Sequence, residues 1–248
     1  GVQTCALPIS VGDSGGFHER FAPWLFPAKH IPAPVHVECA GTILRSDATQ
    51  SLAALDALLA AEADRTACVI LEPRVQGAAG MVQQPPGFVA AVAERCRRAG
   101  VHLILDEVFT AFGRLGALTA CSLGRSGVSA ERRQYSGPGS AALSRDAATP
   151  DFLCLAKGLS AGYVPLAATL TSEAIHDAFL GTFSQQRAFY HGHTFSGNPL
   201  ACAVARASLA KLRPLLASGR IAETITTLGH ELESHFASRS EEHTSELQ

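Results

Sequence analysis

The sequence predicts an α/β fold, a mostly parallel sheet with helices on both faces, and three observations carry that prediction. Short apolar runs recur without polar alternation (CVIL at 68–71, VHLIL at 101–105, FLCLA at 152–156), the pattern of strands covered on both faces. Between them lie segments whose apolar residues return every three or four positions, as in helices that pack on one side. The composition, 47% hydrophobic and 17% charged over 248 residues, supports a sizeable core in one or two domains.

Taken in order, residues 11–38 are rich in Gly, Pro and aromatics and read as an irregular stretch crossing a surface. Ser51 to Asp64 reads as an Ala/Leu helix. Cys68 to Leu71 is a buried strand that stops at Glu72-Pro73. Phe88 to Ala99 is a second helix, closed by Gly100 at a C-cap position. The strand Val101 to Leu105 ends in Asp106-Glu107, and the strand Phe152 to Ala156 ends in Lys157-Gly158. Pro165 to Leu170 is a fourth strand, and Asn198-Pro199 caps a helix running to Leu212, with Pro at its favoured first position. Residues 117–149, rich in Ser, Gly and Arg, have neither helical nor strand period and read as a mobile surface insertion. In parallel sheets the ligand crevice lies beyond the carboxyl ends of the strands, where Glu72, Asp106 and Lys157 all fall.

The formal net charge is −2, from 20 Lys+Arg against 22 Asp+Glu, which argues against nucleic acid and anionic membrane partners. No apolar run approaches the roughly 18 residues of a membrane span. The seven cysteines are scattered without a CxxC pair, as expected of a reduced, cytoplasmic protein.

Both ends read as foreign to the fold. Residues 239–248 (RSEEHTSELQ) are the in-frame translation of AGATCGGAAGAGCACACGTCTGAACTCCAG, DNA similar to a common sequencing adapter, and residues 1–9 (GVQTCALPI) translate its reverse complement. The expected native segment is therefore 10–238, an interior piece of a longer gene.

Of the three lysines, Lys29, Lys157 and Lys211, only Lys157 follows an apolar strand directly. A desolvated lysine there favours the neutral amine that Schiff-base chemistry requires. The competing reading is a lysine emerging into solvent, and local sequence favours it. Asp106 at a strand end also serves as an ordinary cap. Together they say more, because a carboxylate beside a pyridine nitrogen and a lysine amine on a neighbouring strand end are what pyridoxal phosphate needs. The stretch 191–199 (HGHTFSGNP) has hydroxyls and amides at a helix start, which suits a phosphate, although an ordinary Asn cap explains it as well. His191-x-His193 has no partner that completes a metal site, so none is expected.

These blocks, VILEPRVQGAAGM (69–81), LILDEVFTAFGRLG (103–116), PDFLCLAKGLSAGYVPLAATLT (150–171) and HGHTFSGNPLACAVA (191–205), together resemble the class III aminotransferases. The resemblance implies part of a pyridoxal-phosphate fold type I large domain, with pyridoxal 5'-phosphate as cofactor. It implies that Lys157 carries the cofactor covalently, Asp106 partners the pyridine nitrogen and Val108 packs on the ring. It further implies that His193 and Thr194 reach the phosphate of a neighbouring subunit in a homodimer with shared sites. Gly192 would border substrate there, and Arg114 lies at a family arginine near the site. Phe109 and PLAATLTSEAI (165–175) are similar to the branch that moves an amino group from S-adenosylmethionine to 8-amino-7-oxononanoate in biotin synthesis. An ornithine, 4-aminobutyrate or other ω-amino acid specificity is the alternative within the family, and a non-catalytic α/β module the alternative outside it. Ala111 and Ala161 depart from family glycines, and His193 from a common proline. The family's upstream phosphate loop and C-terminal carboxylate-binding arginine have no match in the sequence, so residues 10–238 alone are expected to be inactive.

Independent genomic reads spanning the junctions 9/10 and 238/239 should continue into codons different from those translated here. Reads that reproduce the same codons inside a longer gene would remove the adapter assignment.

Overall fold

The computed structural model describes residues 11–12, 23, 25–39, 42–122, 148–192 and 194–245. The chain opens with two strands, β1 (Val35–Cys39) and β2 (Thr42–Asp47), paired antiparallel. The end of the stretch expected to be irregular is thus a hairpin arm. Its alternation Val35-His36-Val37-Glu38 is a half-buried strand pattern that the surrounding prolines obscure.

Helix α1 (Thr49–Glu62) leads through a short 3-10 turn to β3 (Cys68–Leu71). A small hairpin follows, β4 (Val75–Gln76) with β5 (Val82–Gln83), and then helix α2 (Phe88–Ala99) and strand β6 (His102–Asp106). Gly100 closes α2 in the left-handed conformation, as its C-cap position anticipates. Strands β7 (Phe152–Leu155) and β8 (Ala168–Thr171), helix α3 (Glu173–Ala178) and the long helices α4 (Pro199–Ala217) and α5 (Arg220–Ser245) complete the described elements.

The main sheet has the order β3-β6-β7-β8. Its first three strands are parallel, in the register Leu71 to Leu105 and Asp106 to Cys154. The fourth is antiparallel, with Phe152 opposite Thr171. Four apolar residues cannot report direction; the connection decides it. Residues 156–167 hold only a 3-10 turn (Lys157–Ser160) and an extended return, with no helix to carry a parallel crossover.

One face of the sheet is covered by α1 and α2. Leu55 and Leu59 from α1 and Val89, Val92 and Cys96 from α2 meet Leu103 and Leu105 of β6 in a single core. The alternation of β6 follows: Leu103 and Leu105 point into that core, while Ile104 and Asp106 are half-buried on the other side.

Glu107 continues the alternation and is fully buried. Its N–H donates to the Cys154 carbonyl at 2.9 Å, extending the pairing of β6 with β7 beyond the last strand residue. Its carboxyl accepts from the Cys121 N–H at 2.7 Å, the Thr110 hydroxyl at 3.2 Å and the Ala120 N–H. Residues 117–122, expected to belong to a mobile surface insertion, are therefore tied inward, and Ala120, Cys121 and Ala148 are buried. The reason is that a buried carboxyl must find donors, and this segment supplies them. Burial, with the Glu107 charge adding, pushes the Cys121 thiol up to about 11. Residues 123–147 of the expected insertion lie outside the described residues.

Replacing Glu107 by Ala orphans two buried N–H groups and a hydroxyl, and should destabilise the chain by about 3 kcal/mol or more. Urea unfolding followed by circular dichroism measures this; a loss below about 1 kcal/mol would show that the tie is dispensable.

Candidate active site

The parallel register sets the site. Leu71 pairs with Leu105, so the next residues, Glu72 and Asp106, occupy one rung at the carboxyl edge of the sheet. Asp106 pairs with Cys154, and Lys157 follows three residues later, at the start of the turn that leaves β7. Three charged residues from three strand ends thus converge, and the charges of Asp106 and Lys157 both act on Glu72.

Each is fixed locally. The Asp106 carboxylate accepts from the Val108 N–H at 3.0 Å, which turns the chain back at the edge and presents Val108 and Phe109, both half-buried. Lys157 Nζ stands 5.4 Å from the Phe109 ring centroid. The Arg114 guanidinium lies 5.0 Å from the same centroid, and its Nε donates to the Phe109 carbonyl at 3.0 Å. One aromatic ring therefore seats two cations, each within the range of attraction to its face.

The turn at Lys157 is strained. Its φ is +39°, and that of Ala161 is +51°, in the left-handed region that non-glycine residues seldom adopt. Gly158 between them lies so close to Phe112 that a Cβ would stand 2.9 Å from the Phe112 Cβ. Helix α4 packs against this turn. The side of the site towards Glu72 is built by the β4–β5 hairpin. Buried Gln84 donates to the Glu72 carbonyl at 2.8 Å and accepts from the Arg74 N–H at 2.9 Å. The hairpin turn then places the Gly77 N–H 3.1 Å from Glu72 Oε2.

The structure places Asp106, Val108, Arg114 and Lys157 at one edge of the sheet, around Phe109. Gly192 and Thr194 are exposed on the segment before α4, and His193 lies outside the described residues. One expectation is corrected. Lys157 is exposed rather than desolvated, because an apolar strand before a lysine says nothing of what covers its amine. Phe109 as a seat for two cations, Gln84 as a brace and Glu107 as a tie were not foreseen. For Glu107 the signal was present: in an Asp-Glu pair at a strand end, alternation sends one acid to each face.

The donor set fits pyridoxal phosphate. A primary amine for its aldehyde carbon and a carboxylate for its ring nitrogen stand on neighbouring strand ends, beside apolar Val108 for its ring. At the far end, Asn198 caps α4, accepting from the N–H groups of Leu200 at 2.9 Å and Ala201 at 3.2 Å.

The sequence matches the family Aminotransferase class-III over residues 4–131 and 137–247. It is 42% identical over 203 residues to the adenosylmethionine-8-amino-7-oxononanoate aminotransferase of Geobacter sulfurreducens, covering 81% of this chain and 40% of that protein. The crystal structure of the enzyme of the same name from Methanocaldococcus jannaschii superposes with a TM-score of 0.64 at 36% identity, over 83% of this chain and 40% of that one. An amine transaminase from an uncultivated Pseudomonas species, in its PLP-bound form, superposes with a TM-score of 0.52 at 36% identity, over 66% of this chain and 32% of that one. The chain thus spans about two fifths of the length of the curated relatives it matches.

Replacing Gly158 by Ala should push the Lys157 turn off Phe112 and destabilise the chain by about 1–3 kcal/mol, as overpacking does. A variant that unfolds at the wild-type urea midpoint would show that the turn yields without cost.

Proposed function

Because the chain belongs to the class-III aminotransferases, we propose that residues 10–238 form part of the large cofactor-binding domain of a pyridoxal-phosphate-dependent enzyme of biotin synthesis. The reaction is amino transfer from S-adenosylmethionine to 8-amino-7-oxononanoate. The observation that carries the chemistry is the meeting of Asp106 and Lys157 at adjacent strand ends. The substrate assignment is supported by the relatives, whose names describe that reaction at up to 42% identity.

Pyridoxal phosphate, when bound, supplies an aldehyde carbon and a ring that accepts electrons. Nζ of Lys157 would hold the cofactor and, as a free amine, would take the proton from the substrate carbon and return it during transfer. The Asp106 carboxylate, with one lone pair engaged by the Val108 N–H, would hold the proton on the ring nitrogen. Val108 would supply an apolar contact to the ring. Arg114, pinned on the same Phe109 ring as Lys157, would offer its charge to a substrate anion.

The same reading places Gly192, His193 and Thr194 at the phosphate and substrate of a second subunit. Support for a homodimer comes from exposed aromatic side chains: Tyr163 and, on the segment before α4, Phe183, Phe189, Tyr190 and Phe195 are all more than 60% exposed. Phe189 also stacks with Phe179 and His191, at centroid separations of 5.2 and 5.4 Å. An exposed ring cluster such as Phe179, Phe189 and His191 is a feature that interaction surfaces carry. Among the described residues no helix is long and apolar enough to cross a membrane.

In a complete enzyme carrying these residues, Lys157→Ala should abolish the cofactor adduct trapped by borohydride. Asp106→Asn should leave cofactor bound and cut turnover by about three orders of magnitude or more, through loss of the charge opposite the ring nitrogen. Normal borohydride labelling of the Lys157→Ala protein would overturn the assignment.

A further inference from the structure

Glu72 has no part in the chemistry above, yet it is the third charged residue on the edge where Asp106 and Lys157 meet. Its position is fixed from two sides. The register of β3 with β6 puts it on the rung beside Asp106, and the Gly77 N–H from the β4–β5 hairpin holds its Oε2 at 3.1 Å. Gly77 is itself pressed against the Phe109 ring, its would-be Cβ 3.2 Å from the ring carbons and 3.5 Å from Glu72 Oε2. Glu72 and Lys157 are thus linked through the hairpin turn and the Phe109 ring, on which Lys157 Nζ also sits at 5.4 Å.

We infer that Glu72 is a positioning residue of this site: from the rung beside Asp106, its carboxylate sets the protonation of the nitrogen that Lys157 supplies to the cofactor. The inference rests on the reading of Lys157 as the cofactor-bearing lysine.

The physical argument is one of unequal neighbours. The groups that face Glu72 are Asp106 from the end of β6, Lys157 from the turn after β7 and the Gly77 N–H, with Arg114 beyond them on Phe109. An anion whose charge reaches the lysine nitrogen favours its protonated form, and an anion beside Asp106 opposes a second negative charge on that rung. Burial, partly countered by the Gly77 N–H, holds the Glu72 carboxyl above its ordinary range; the charge of Asp106 adds to the rise and that of Lys157 opposes it. Glu72 therefore takes up a proton at a higher pH than an ordinary glutamate. Its influence on the lysine nitrogen is present once it has ionised and fades as it protonates.

Glu72→Gln removes the charge while its amide oxygen still accepts from Gly77. In the complete enzyme loaded with pyridoxal phosphate, the readout is the midpoint of the pH titration of the visible absorbance of the lysine-bound cofactor. Removing a nearby anion destabilises the protonated nitrogen, so the midpoint falls, by about 3- to 30-fold in proton affinity for charges several ångströms apart at a partly screened edge. Glu72→Asn should do the same where the Gln variant does not fold, and Glu72→Asp, which keeps the charge, should stay within about threefold of wild type. Neutral variants that titrate at the wild-type midpoint would overturn the inference, as would an Asp variant shifted as far as they are. Failure of the underlying reading looks different: the visible absorbance would then survive Lys157→Ala.

Discussion

The Glu107 carboxyl, fully buried and met by donors from Thr110, Ala120 and Cys121, is the constraint from which the geometry of the carboxyl edge follows. A buried carboxyl without donors costs several kcal/mol, so the segment after β6 must fold back until its amides arrive. In doing so it forms the turns that carry Val108, Phe109 and Arg114. The Glu107 N–H on the Cys154 carbonyl meanwhile locks β6 to β7 at the level of Asp106. The distance from Asp106 to Lys157 is thereby fixed by backbone pairing and one satisfied side chain, rather than by contact between the two residues.

Much of this was legible in the residues. Apolar runs without alternation located β3, β6 and β7 to within a residue of their observed limits, and the charged residues after them marked the carboxyl edge. Helix α2 was defined by its period and by Gly100. What escaped shares one physical cause: it depends on partners distant in sequence. The direction of β8 is a property of its connection. The hairpin of Val75 and Gln83 is too short to show a period, and Gln84 braces it only because the Glu72 carbonyl and Arg74 N–H lie opposite. Desolvation belongs to whatever covers a side chain, so the residues before Lys157 were silent on its exposure.

The site also shows how one side chain serves two masters. Phe109 offers its ring to Lys157 and Arg114, its carbonyl to the Arg114 Nε, and its edge to Gly77. Its neighbours are thus coupled, and substitutions at Gly77, Phe109 and Arg114 are not expected to act additively.

The buried residues Cys121 and Ala148 belong to the same core cluster, so the residues that flank 123–147 are both anchored in that core. Closing a flexible loop between fixed ends costs only about 0.6 kcal/mol more for each doubling of its length. Added polypeptide between these two anchors therefore costs little. Descendants of this gene are free to lengthen, shorten or exchange that segment while Asp106 and Lys157 keep their places. It is the natural point at which to graft a reporter, or a second domain, onto this scaffold.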